Sequence, residues 1–409
     1  MLSTATGPAS NTTTRHAKVL IVGGGAAGIS VAARLKSKMN DHEIVILEPS
    51  TTHHYQPLWT LVGGGVRRFS DTEKQEREFI PHGVDWIQDR AARFDPDANL
   101  VEISGGQILQ YDVLVLALGI QIDWNLIPGL AETLGSNGVC SNYSAQHVEY
   151  TWEAIQQLEA GANVIFTHPN TPIKCGGAPQ KIMYLADEAM RRRGVRNGSE
   201  ITFAIATPTI FAVEKYAATL REVCTKKDID VRYELNLVAL RPETKEAVFE
   251  DLSNNKAEVV LPYDMIHVAP PMSSPDLLKQ SPFADPAGWV EVDKHTTQHV
   301  RFSNVFALGD CSNLPTSKTG AAVRKQAPVT ASNVLAFLAG TPLTASYDGY
   351  TSCPLVTGYG KLVLAEFDYD KKPKETFPID QSKERFSMYL LKKYLLPIFY
   401  WRGMLKGRM

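Results

Sequence analysis

The fold is decided by one stretch near the start of the chain, Lys18-Val19-Leu20-Ile21-Val22-Gly23-Gly24-Gly25-Ala26-Ala27-Gly28. Its first five residues predict a buried parallel strand, which runs into a Gly-x-Gly-x-x-Gly turn and an amphipathic helix. In such a unit Gly23 allows the tight turn, Gly25 lets the backbone approach a pyrophosphate, and Gly28 lets the helix pack closely on the strand. The stretch therefore predicts a dinucleotide-binding βαβ unit.

Two further features support a bound dinucleotide. The helix begins at Ala26 and Ala27, where unpaired N–H donors and a partial positive charge suit a pyrophosphate. A second strand, residues 43–47, ends at Glu48, at the distance from Gly28 where a carboxylate accepts hydrogen bonds from an adenosine ribose. A glycine-rich turn alone is often an ordinary loop, but the strand, helix and acid together favour nucleotide binding.

The composition excludes several classes of protein. At 409 residues the chain is long enough for two or three domains. With 42 basic and 44 acidic residues, it has no field that would attract nucleic acid, so no nucleic-acid partner is expected. The cysteines are scattered without C-x-x-C spacing, which argues against a secreted disulfide framework and a structural zinc site. The only histidine cluster is His53 and His54, which point opposite ways on an extended segment, so no metal is predicted.

Two apolar predicted strands are each followed directly by a glycine. Residues 111–119 end on Gly119, and residues 304–310 end on Gly309 and Asp310. Together they resemble the return strands of the FAD domain in disulfide-reductase-like flavoproteins, where the final Gly-Asp places a carboxylate and a helix N-terminus near the flavin. Asp310 is also compatible with a plain helix N-cap.

The middle of the chain follows the order of an NAD-binding domain without its fingerprint. Residues 163–167 read as a strand, residues 181–193 as a helix and residues 201–206 as the next strand. The turn between the first strand and the helix carries prolines and Cys175 in place of Gly-x-Gly-x-x-Gly. Because such a turn offers no close backbone approach to a pyrophosphate, NADH is not expected as the electron donor.

The sequence therefore predicts an α/β fold with two Rossmann-like domains and a C-terminal amphipathic region. The expected order is a disordered leader (1–15), an FAD-binding domain (16–140 and 285–345), a second Rossmann-like domain carrying Cys175 (141–284) and a C-terminal region carrying Cys353 (346–409). The leader is uncharged up to Thr14 and lacks the pattern of a secretory signal or transit peptide.

Cys175 is the first candidate for chemistry. It directly precedes Gly176 and the predicted helix, so a thiolate near that helix N-terminus and beside Lys174 should have a lowered pKa. A small buried apolar role is the alternative, so a catalytic role requires a second thiol. The best candidate is Cys353, which lies in a loop of small and turn-forming residues, whereas Cys311 and Cys224 are expected to pack in cores.

At these residues the chain resembles the sulfide:quinone oxidoreductases, specifically their mitochondrial-type branch. The likeness covers nearly the whole chain from Lys18 onward. It is most specific in residues 54–63, 169–184, 309–319, 347–359 and 380–385.

The resemblance implies roles for individual residues. Cys175 and Cys353 match the redox pair of the family. The flavin contacts of the family are matched by Glu48, Gln56, Asp310 and Lys318. Cys140 falls where the three-cysteine bacterial branch carries a third thiol, but the mitochondrial-type branch works without one, so a buried packing role is expected.

The resemblance also implies a reaction with hydrogen sulfide. Hydrosulfide attacks the Cys175–Cys353 disulfide, or a sulfur-bridged form of it, leaving a persulfide on one cysteine and a thiolate on the other. That thiolate, assigned to Cys353, passes two electrons to FAD, and these continue to ubiquinone or another membrane quinone. Sulfane sulfur leaves to a small acceptor such as glutathione or sulfite, or grows as polysulfide.

The C-terminus offers access to a lipid-soluble quinone. Residues 386–406 combine large apolar and aromatic side chains with Lys392, Lys393, Arg402 and Lys406, and Pro397 divides them into two short helices. This mixture suits a monotopic anchor at the headgroup boundary, on a bacterial cytoplasmic membrane or the mitochondrial inner membrane. Packing on the core, or on a second subunit of a homo-oligomer, is the alternative.

Three rival functions share parts of this pattern. A type II NADH:quinone dehydrogenase has the same architecture and membrane-surface habit, but it needs the missing second fingerprint and neither thiol. The flavin subunit of a sulfide-oxidising flavocytochrome would need a docking surface for a haem protein, which the aromatic C-terminus does not suit. A non-catalytic flavoprotein scaffold leaves the paired thiols unexplained.

Overall fold

The computed structural model describes residues 14–409, so the predicted leader lies almost wholly outside the described residues. Its last two positions are not part of a leader, because the first strand already begins at Thr14. Thr14 pairs with Ile108 and Arg15 with Leu109 in the neighbouring strand. The first domain therefore starts two residues before the predicted boundary.

The described chain alternates strands and helices, as the sequence predicts. The strands are β1 (Thr14–Val22), β2 (Ile44–Leu47), β3 (Thr52–His54), β4 (Glu73–Gln75), β5 (Asp85–Ile87), β6 (Ala91–Asp95), β7 (Leu100–Ile103), β8 (Ile108–Leu116), β9 (Gln121–Ile122), β10 (Val139–Cys140), β11 (Asn163–His168), β12 (Glu200–Ile205), β13 (Asp230–Tyr233), β14 (Leu235–Arg241), β15 (Glu246–Asp251), β16 (Ala257–Pro262), β17 (Met265–His267), β18 (Met272–Ser273), β19 (Val305–Ala307), β20 (Thr351–Gly358) and β21 (Lys361–Phe367). The α-helices are α1 (Ala26–Lys36), α2 (Trp59–Gly63), α3 (Leu130–Thr133), α4 (Val148–Gln157), α5 (Ala178–Arg193), α6 (Glu214–Lys227), α7 (Asp276–Lys279), α8 (Gly320–Leu338), α9 (Phe386–Leu390) and α10 (Leu396–Ile398).

The first domain is built on a seven-stranded sheet in the order β5-β2-β1-β8-β7-β6. β5, β2, β1 and β8 are parallel, whereas β7 and β6 run antiparallel. β7 pairs with the first part of one edge of β8, and the late strand β19 pairs with its last part. The strands at the centre are continuous apolar runs because both faces of a parallel sheet are buried. The sheet therefore joins strands from two separate parts of the chain.

The second domain has a five-stranded parallel sheet in the order β10-β17-β11-β12-β13. An antiparallel sheet of β14, β15 and β16 follows β13 in the chain. The short strand β10 pairs with β17 of this second sheet. Since the sequence placed residues 139 and 140 at the end of the first domain, that boundary moves to a point before Val139.

The C-terminal region is part of the main body of the molecule. β20 and β21 form an antiparallel hairpin, and β20 packs on α5. The residues after β21 lead to a helical stretch that contains α9, α10 and two π-helical turns. One hydrophobic core joins Val19 of β1, Ile182 of α5, Leu355 of β20 and Trp401 near the C-terminus. Within residues 14–409, every helix is too short or too polar to cross a bilayer.

Candidate active site

The loop that carries Cys175 lies between β11 and α5. Cys175 has a φ of 53°, a left-handed conformation that residues with a side chain rarely adopt. Its N–H donates to the carbonyl of Lys318 at 2.9 Å, and its own carbonyl accepts the N–H of Ala178 at 2.8 Å. These bonds hold Cys175 between the start of α5 and the segment that precedes α8.

Cys353 meets Cys175 from the hairpin. The sequence placed Cys353 in a loop, but it lies on strand β20, opposite Ala365, and is 4% exposed. Gly177 makes this approach possible, because a Cβ there would lie 2.6 Å from Sγ of Cys353 and 2.4 Å from Cδ2 of Leu355. Both cysteines are free thiols. The fold thus brings together the two cysteines predicted as a pair.

A buried ammonium lies beside the thiols. Lys181, near the start of α5, is 2% exposed, and its Nζ lies 3.2 Å from Sγ of Cys175. Burial opposes the charge of Lys181, but negative charge on Cys175 and Cys353 outweighs this effect and raises its pKa. Lys181 is therefore a fixed cation at the thiol pair.

A second buried ammonium reaches the same place from the C-terminal stretch. Lys392 lies in the π-helical turn Leu391–Leu395, is 3% exposed, and donates from Nζ to the carbonyl of Pro57 at 2.9 Å. Burial and the positive charge of Lys181 lower the pKa of Lys392 to about 7. The prediction that Lys392 lies at the lipid boundary is wrong, because the helical stretch turns this side chain inward.

The two ammonium groups favour a thiolate at the cysteine pair. A hydrogen bond from Cys353, together with the charges of Lys181 and Lys392, holds the pKa of Cys175 well below that of an ordinary cysteine despite burial. The same hydrogen bond, with burial, raises the pKa of Cys353 well above its usual value. The lowered pKa of Cys175, whose Sγ lies 3.2 Å from Nζ of Lys181, favours the thiolate on Cys175 rather than on Cys353, to which the sequence assigned it.

The predicted flavin contacts Gln56, Asp310 and Lys318 gather on the other side of Cys175. Lys174 donates from Nζ to Oε1 of Gln56 at 2.6 Å, so it is Lys181 that contacts the Cys175 thiol. Desolvation lowers the pKa of Lys174 to about 8, against the negative charges of Asp310 and Cys175. Nζ of Lys318 donates to the Asp310 carbonyl at 2.6 Å. Three polar side chains thus surround one side of the thiol loop.

Asp310 does not act as a helix cap. It lies in the short 3-10 turn Gly309–Cys311, whose first residue has a φ of 74°. The next α-helix, α8, is capped instead by Thr319, whose side chain accepts the N–H of Ala322 at 3.1 Å. Burial raises the pKa of Asp310, against the positive charges of Lys318 and Lys174. The capping alternative for Asp310 is therefore wrong.

The first glycine-rich turn has room for a pyrophosphate. A Cβ at Gly23 would lie 2.4 Å from the carbonyl oxygen of Ala117, and a Cβ at Gly28 would lie 1.8 Å from that of Gly23, so both positions require glycine. At Gly25 and Gly119 there is open space instead. α1 starts at Ala26 with no side chain capping it at Gly25, which leaves its first N–H groups for a ligand.

Glu48 turns towards this open space. Its Oε2 accepts the N–H of Gly24 at 2.7 Å, and its Oε1 accepts the N–H of Ser50 at 2.8 Å. The carboxylate is thus fixed at the end of β2, next to the turn. These residues fit the adenosine and pyrophosphate groups of FAD.

The corresponding turn of the second domain is filled by protein. The start of α5 is covered by Leu355 and Cys353, which lie so close to Gly177 that a Cβ there would clash with both side chains. Gly177, which lies where a nucleotide-binding turn would carry a glycine, thus makes room for the β20–β21 hairpin. This geometry agrees with the prediction that NADH is not the electron donor.

The other cysteines are buried in cores. Burial raises the pKa of Cys140 to about 12, and its thiol contacts the Ile266 carbonyl at 3.6 Å. Burial also raises the pKa of Cys224 and of Cys311, each to about 11. All three thiols lie buried in packed surroundings, as the sequence predicted.

The C-terminal helical stretch has one face in the core and one in solvent. Tyr400 and Trp401 pack inward, and the Tyr400 hydroxyl shares a 2.6 Å hydrogen bond with His53, which in turn bonds Glu76 at 2.9 Å. The stretch therefore packs on the core, one of the two alternatives, and it also exposes large apolar side chains. The exposed apolar face consists of Phe386, Leu390, Tyr394, Leu395, Ile398 and Phe399.

Two site residues, Lys181 and Lys392, were not identified as such from the sequence. A signal existed for Lys181, because it opens an otherwise apolar run, residues 182–186, at the start of a predicted helix. A lysine with apolar neighbours on every side of a helix has no solvent face to reach. Lys392 has Lys393 and Tyr394 beside it, which is also the pattern of a surface cation, so no such signal marks it.

Comparison with known proteins agrees with this site. The pyridine nucleotide-disulphide oxidoreductase family matches residues 17–332. Mitochondrial sulfide:quinone oxidoreductase of Mus musculus is 50% identical over 396 residues, covering 97% of this chain and 88% of that protein. The mitochondrial enzyme of the same name from Dictyostelium discoideum is 49% identical over 393 residues, covering 96% and 86%.

A solved structure supports the fold. The sulfide:quinone oxidoreductase of Aquifex aeolicus superposes with a TM-score of 0.82 at 21% identity, covering 96% of this chain and 92% of that chain. The predicted α/β Rossmann-like fold is therefore confirmed. By its family match and its near full-length identity to two relatives, the chain belongs to the mitochondrial sulfide:quinone oxidoreductases of the pyridine nucleotide-disulphide oxidoreductase family.

Proposed function

We propose that this protein oxidises hydrogen sulfide to sulfane sulfur and passes two electrons through FAD to a membrane quinone. The observation that carries the proposal is the meeting of Cys175 and Cys353 at the start of α5, beside the buried ammonium of Lys181, whose Nζ lies 3.2 Å from Sγ of Cys175. The thiol pair occupies the turn between β11 and α5, where an NADH dehydrogenase would need room for its nucleotide.

The charges at the site set the direction of attack. When the pair is oxidised, hydrosulfide forms a bond to Sγ of Cys353 and breaks the bond between the two cysteines. Cys175 leaves with the electron pair as a thiolate, which Lys181 stabilises at 3.2 Å. The persulfide is then on Cys353, and the proton of hydrosulfide stays on its outer sulfur.

The second half of the cycle restores the disulfide. A nucleophilic acceptor such as sulfite or glutathione takes the outer sulfur from Cys353 and leaves two reduced cysteines. Their reoxidation to the disulfide releases two electrons and the thiol proton. Anionic forms of hydrosulfide and of the acceptor are favoured, because Lys181 and Lys392 place two buried cations at the thiols.

Bound FAD supplies a two-electron acceptor next to the thiols and a two-electron donor to quinone. Its adenosine and pyrophosphate groups would be held at the first turn by the backbone of Gly23, Gly25, Ala26, Ala27 and Gly28 and by the carboxylate of Glu48. Gln56, Gly119, Gly309, Asp310 and Lys318 would line the flavin end. Glu48→Ala is expected to lower the ratio of flavin to protein after purification, and an unchanged ratio would contradict this placement.

The membrane is reached through the exposed apolar face of the C-terminal stretch. Leu395, Ile398 and Phe399 are each more than 40% exposed, and no opposite packing partner is present among the described residues. Burial of such side chains in the headgroup region favours peripheral binding to a quinone-containing membrane. The mitochondrial inner membrane and a bacterial cytoplasmic membrane both provide one.

Point substitutions test this docking better than truncation. Removing the residues after Glu384 would also remove Lys392, Tyr400 and Trp401 from the core, so a truncated chain would lose more than membrane contact. Ile398→Gln with Phe399→Gln changes only exposed side chains and is expected to move the protein from vesicles to the supernatant. Leu126→Gln, at a residue 65% exposed elsewhere, is the matched control. Equal partition of both variants would contradict docking through this face.

The function itself is tested by anaerobic titration of the yellow protein. Sulfide is expected to bleach the flavin absorbance, while NADH in a parallel titration leaves it unchanged. Cys175→Ser and Cys353→Ser should each keep FAD and lose sulfide-dependent quinone reduction. Near-normal turnover in either variant would reject the redox pair, and bleaching by NADH would favour the dehydrogenase alternative.

A further inference from the structure

A cavity of about 440 Å³ lies at the far end of α5 from the thiols. α6 and the turn between β20 and β21 form its other walls, and Glu384, just ahead of α9, completes it. Two carboxylates line it together with five cations, which are Arg191, Arg192, Lys226, Lys227 and Lys361. The cavity therefore carries an excess of positive charge.

Part of this positive charge is already paired. Lys227 bonds the carboxylates of Asp187 at 3.1 Å and Glu188 at 3.0 Å. Nε of Arg191 bonds Asp187 at 3.0 Å. Since Asp187 is fully buried behind the cavity wall, these bonds fix the shape of the wall and leave other cations to meet a ligand.

Two cations of the cavity are least committed to carboxylates, because Arg192 pairs with a tyrosine ring and Lys361 makes only a long contact with Glu188, which Lys227 holds more closely at 3.0 Å. The guanidinium of Arg192 lies 4.1 Å from the ring centre of Tyr359, and no carboxylate among residues 14–409 lies within ion-pair distance of it. The ring holds the guanidinium in place without using its hydrogen-bond donors. Lys361 is 3.8 Å from Glu188, and its side chain is 53% exposed. A fixed guanidinium and a flexible ammonium on one cavity suit a phosphate group.

The cavity opens beside the exposed apolar face. A Cβ at Gly360, in the turn before Lys361, would lie 3.3 Å from the ring of Phe386. Phe386 is 63% exposed and begins the apolar face. A ligand with its phosphate between Arg192 and Lys361 can therefore lay an acyl chain along Phe386.

We propose that this cavity binds the phosphate of an anionic phospholipid. The inference rests on the proposed docking of the C-terminal face to a membrane, and it adds a defined headgroup site to that docking. Each basic residue at a membrane surface changes lipid affinity by about fivefold, so removing both Arg192 and Lys361 should weaken binding by about twenty-five-fold.

The test uses the full chain with bound FAD and short-chain lipids below their micelle concentration, with binding measured by calorimetry. Short-chain phosphatidylglycerol should saturate a single site per chain, while short-chain phosphatidylcholine and inorganic phosphate should bind far more weakly. Arg192→Gln with Lys361→Gln should lose about twenty-five-fold in affinity for phosphatidylglycerol. Lys393→Gln with Arg402→Gln removes two cations of the C-terminal stretch outside the cavity, and this pair should keep the affinity.

The outcomes separate this site from the docking on which it rests. Equal losses in both pairs would replace the site with a diffuse charge effect. Inorganic phosphate binding as tightly as the lipid would make the ligand a soluble phosphate. If the protein partitions onto phosphatidylcholine vesicles through the Ile398 and Phe399 face but binds no short-chain phosphatidylglycerol, the cavity proposal fails while docking stands. No partition onto any vesicle would reject docking itself.

Discussion

Replacing Lys181 with methionine should move the titration of Cys175. The two side chains have similar length, but methionine removes the ammonium that lies 3.2 Å from Sγ. A hydrogen bond to a charged group contributes roughly 1.5–3 kcal/mol, and one pKa unit corresponds to about 1.4 kcal/mol. The pKa of Cys175 should therefore rise by about 1–2 units.

The assay is the pH dependence of alkylation by iodoacetamide in the reduced protein, followed at the Cys175 peptide by mass spectrometry. Only the thiolate reacts, so the rate rises as pH passes through the pKa of Cys175. In Lys181→Met the whole curve should move to higher pH by about 1–2 units, and the rate at a pH below the midpoint of the curve should fall about ten- to a hundredfold.

Lys174→Met is the matched control. Sequence reasoning named Lys174 as the activating cation, whereas the structure directs its ammonium to Gln56. The Lys174 variant should therefore shift the alkylation curve much less than the Lys181 variant. An unshifted curve for Lys181→Met, or a larger shift for Lys174→Met, would refute the electrostatic account of the site.

Three other outcomes follow from the geometry. Gly177→Ala should destabilise the fold by roughly 1–3 kcal/mol in chemical denaturation and separate the thiols, because its Cβ would lie 2.6 Å from Sγ of Cys353. Gly176→Ala should be mild, because its Cβ would make only an ordinary contact with Nε2 of His168 at 3.9 Å. Equal effects of the two substitutions would contradict the close approach. Burial lowers the pKa of Lys392 to about 7, so its ammonium is charged below that pH and neutral above it. Lys392→Met should therefore slow the alkylation of Cys175 more at pH 6 than at pH 8. An equal effect at both pH values would show that Lys392 does not titrate between them. Cys140→Ser should retain sulfide-dependent quinone reduction, since that thiol is buried against the Ile266 carbonyl, and complete loss of activity would place it in the catalytic set.

Much of the first domain was predictable because its constraints are local. Gly23 has a positive φ, and Gly28 lies where a side chain would clash with the backbone. Both requirements are met by glycines a few residues apart, so the sequence shows them directly. Glu48 follows from the fixed length of a βαβ unit. The Cys353 partner of Cys175 came from family resemblance and from a predicted loop that the structure shows to be strand β20, since no local pattern links two cysteines so distant in the chain.

The charges at the thiols were not predictable in the same way. A lysine on a helix points to solvent by default, and only the packing of the hairpin and the C-terminal stretch encloses Lys181 and Lys392. The same limit explains Tyr400 and Trp401, whose aromatic character suited a membrane boundary but whose rings fill the core. Burial of this kind depends on tertiary contacts that the neighbouring residues do not encode.

The division of one edge of β8 between β7 and β19 has a consequence for biosynthesis. While the ribosome translates the second domain, the last part of β8 has no neighbour on that side, because Val305–Ala307 has not yet emerged. An open strand edge readily pairs with other chains. The nascent protein thus passes through an aggregation-prone stage that ends only when β19 closes the sheet, and this stage is where a chaperone would be needed.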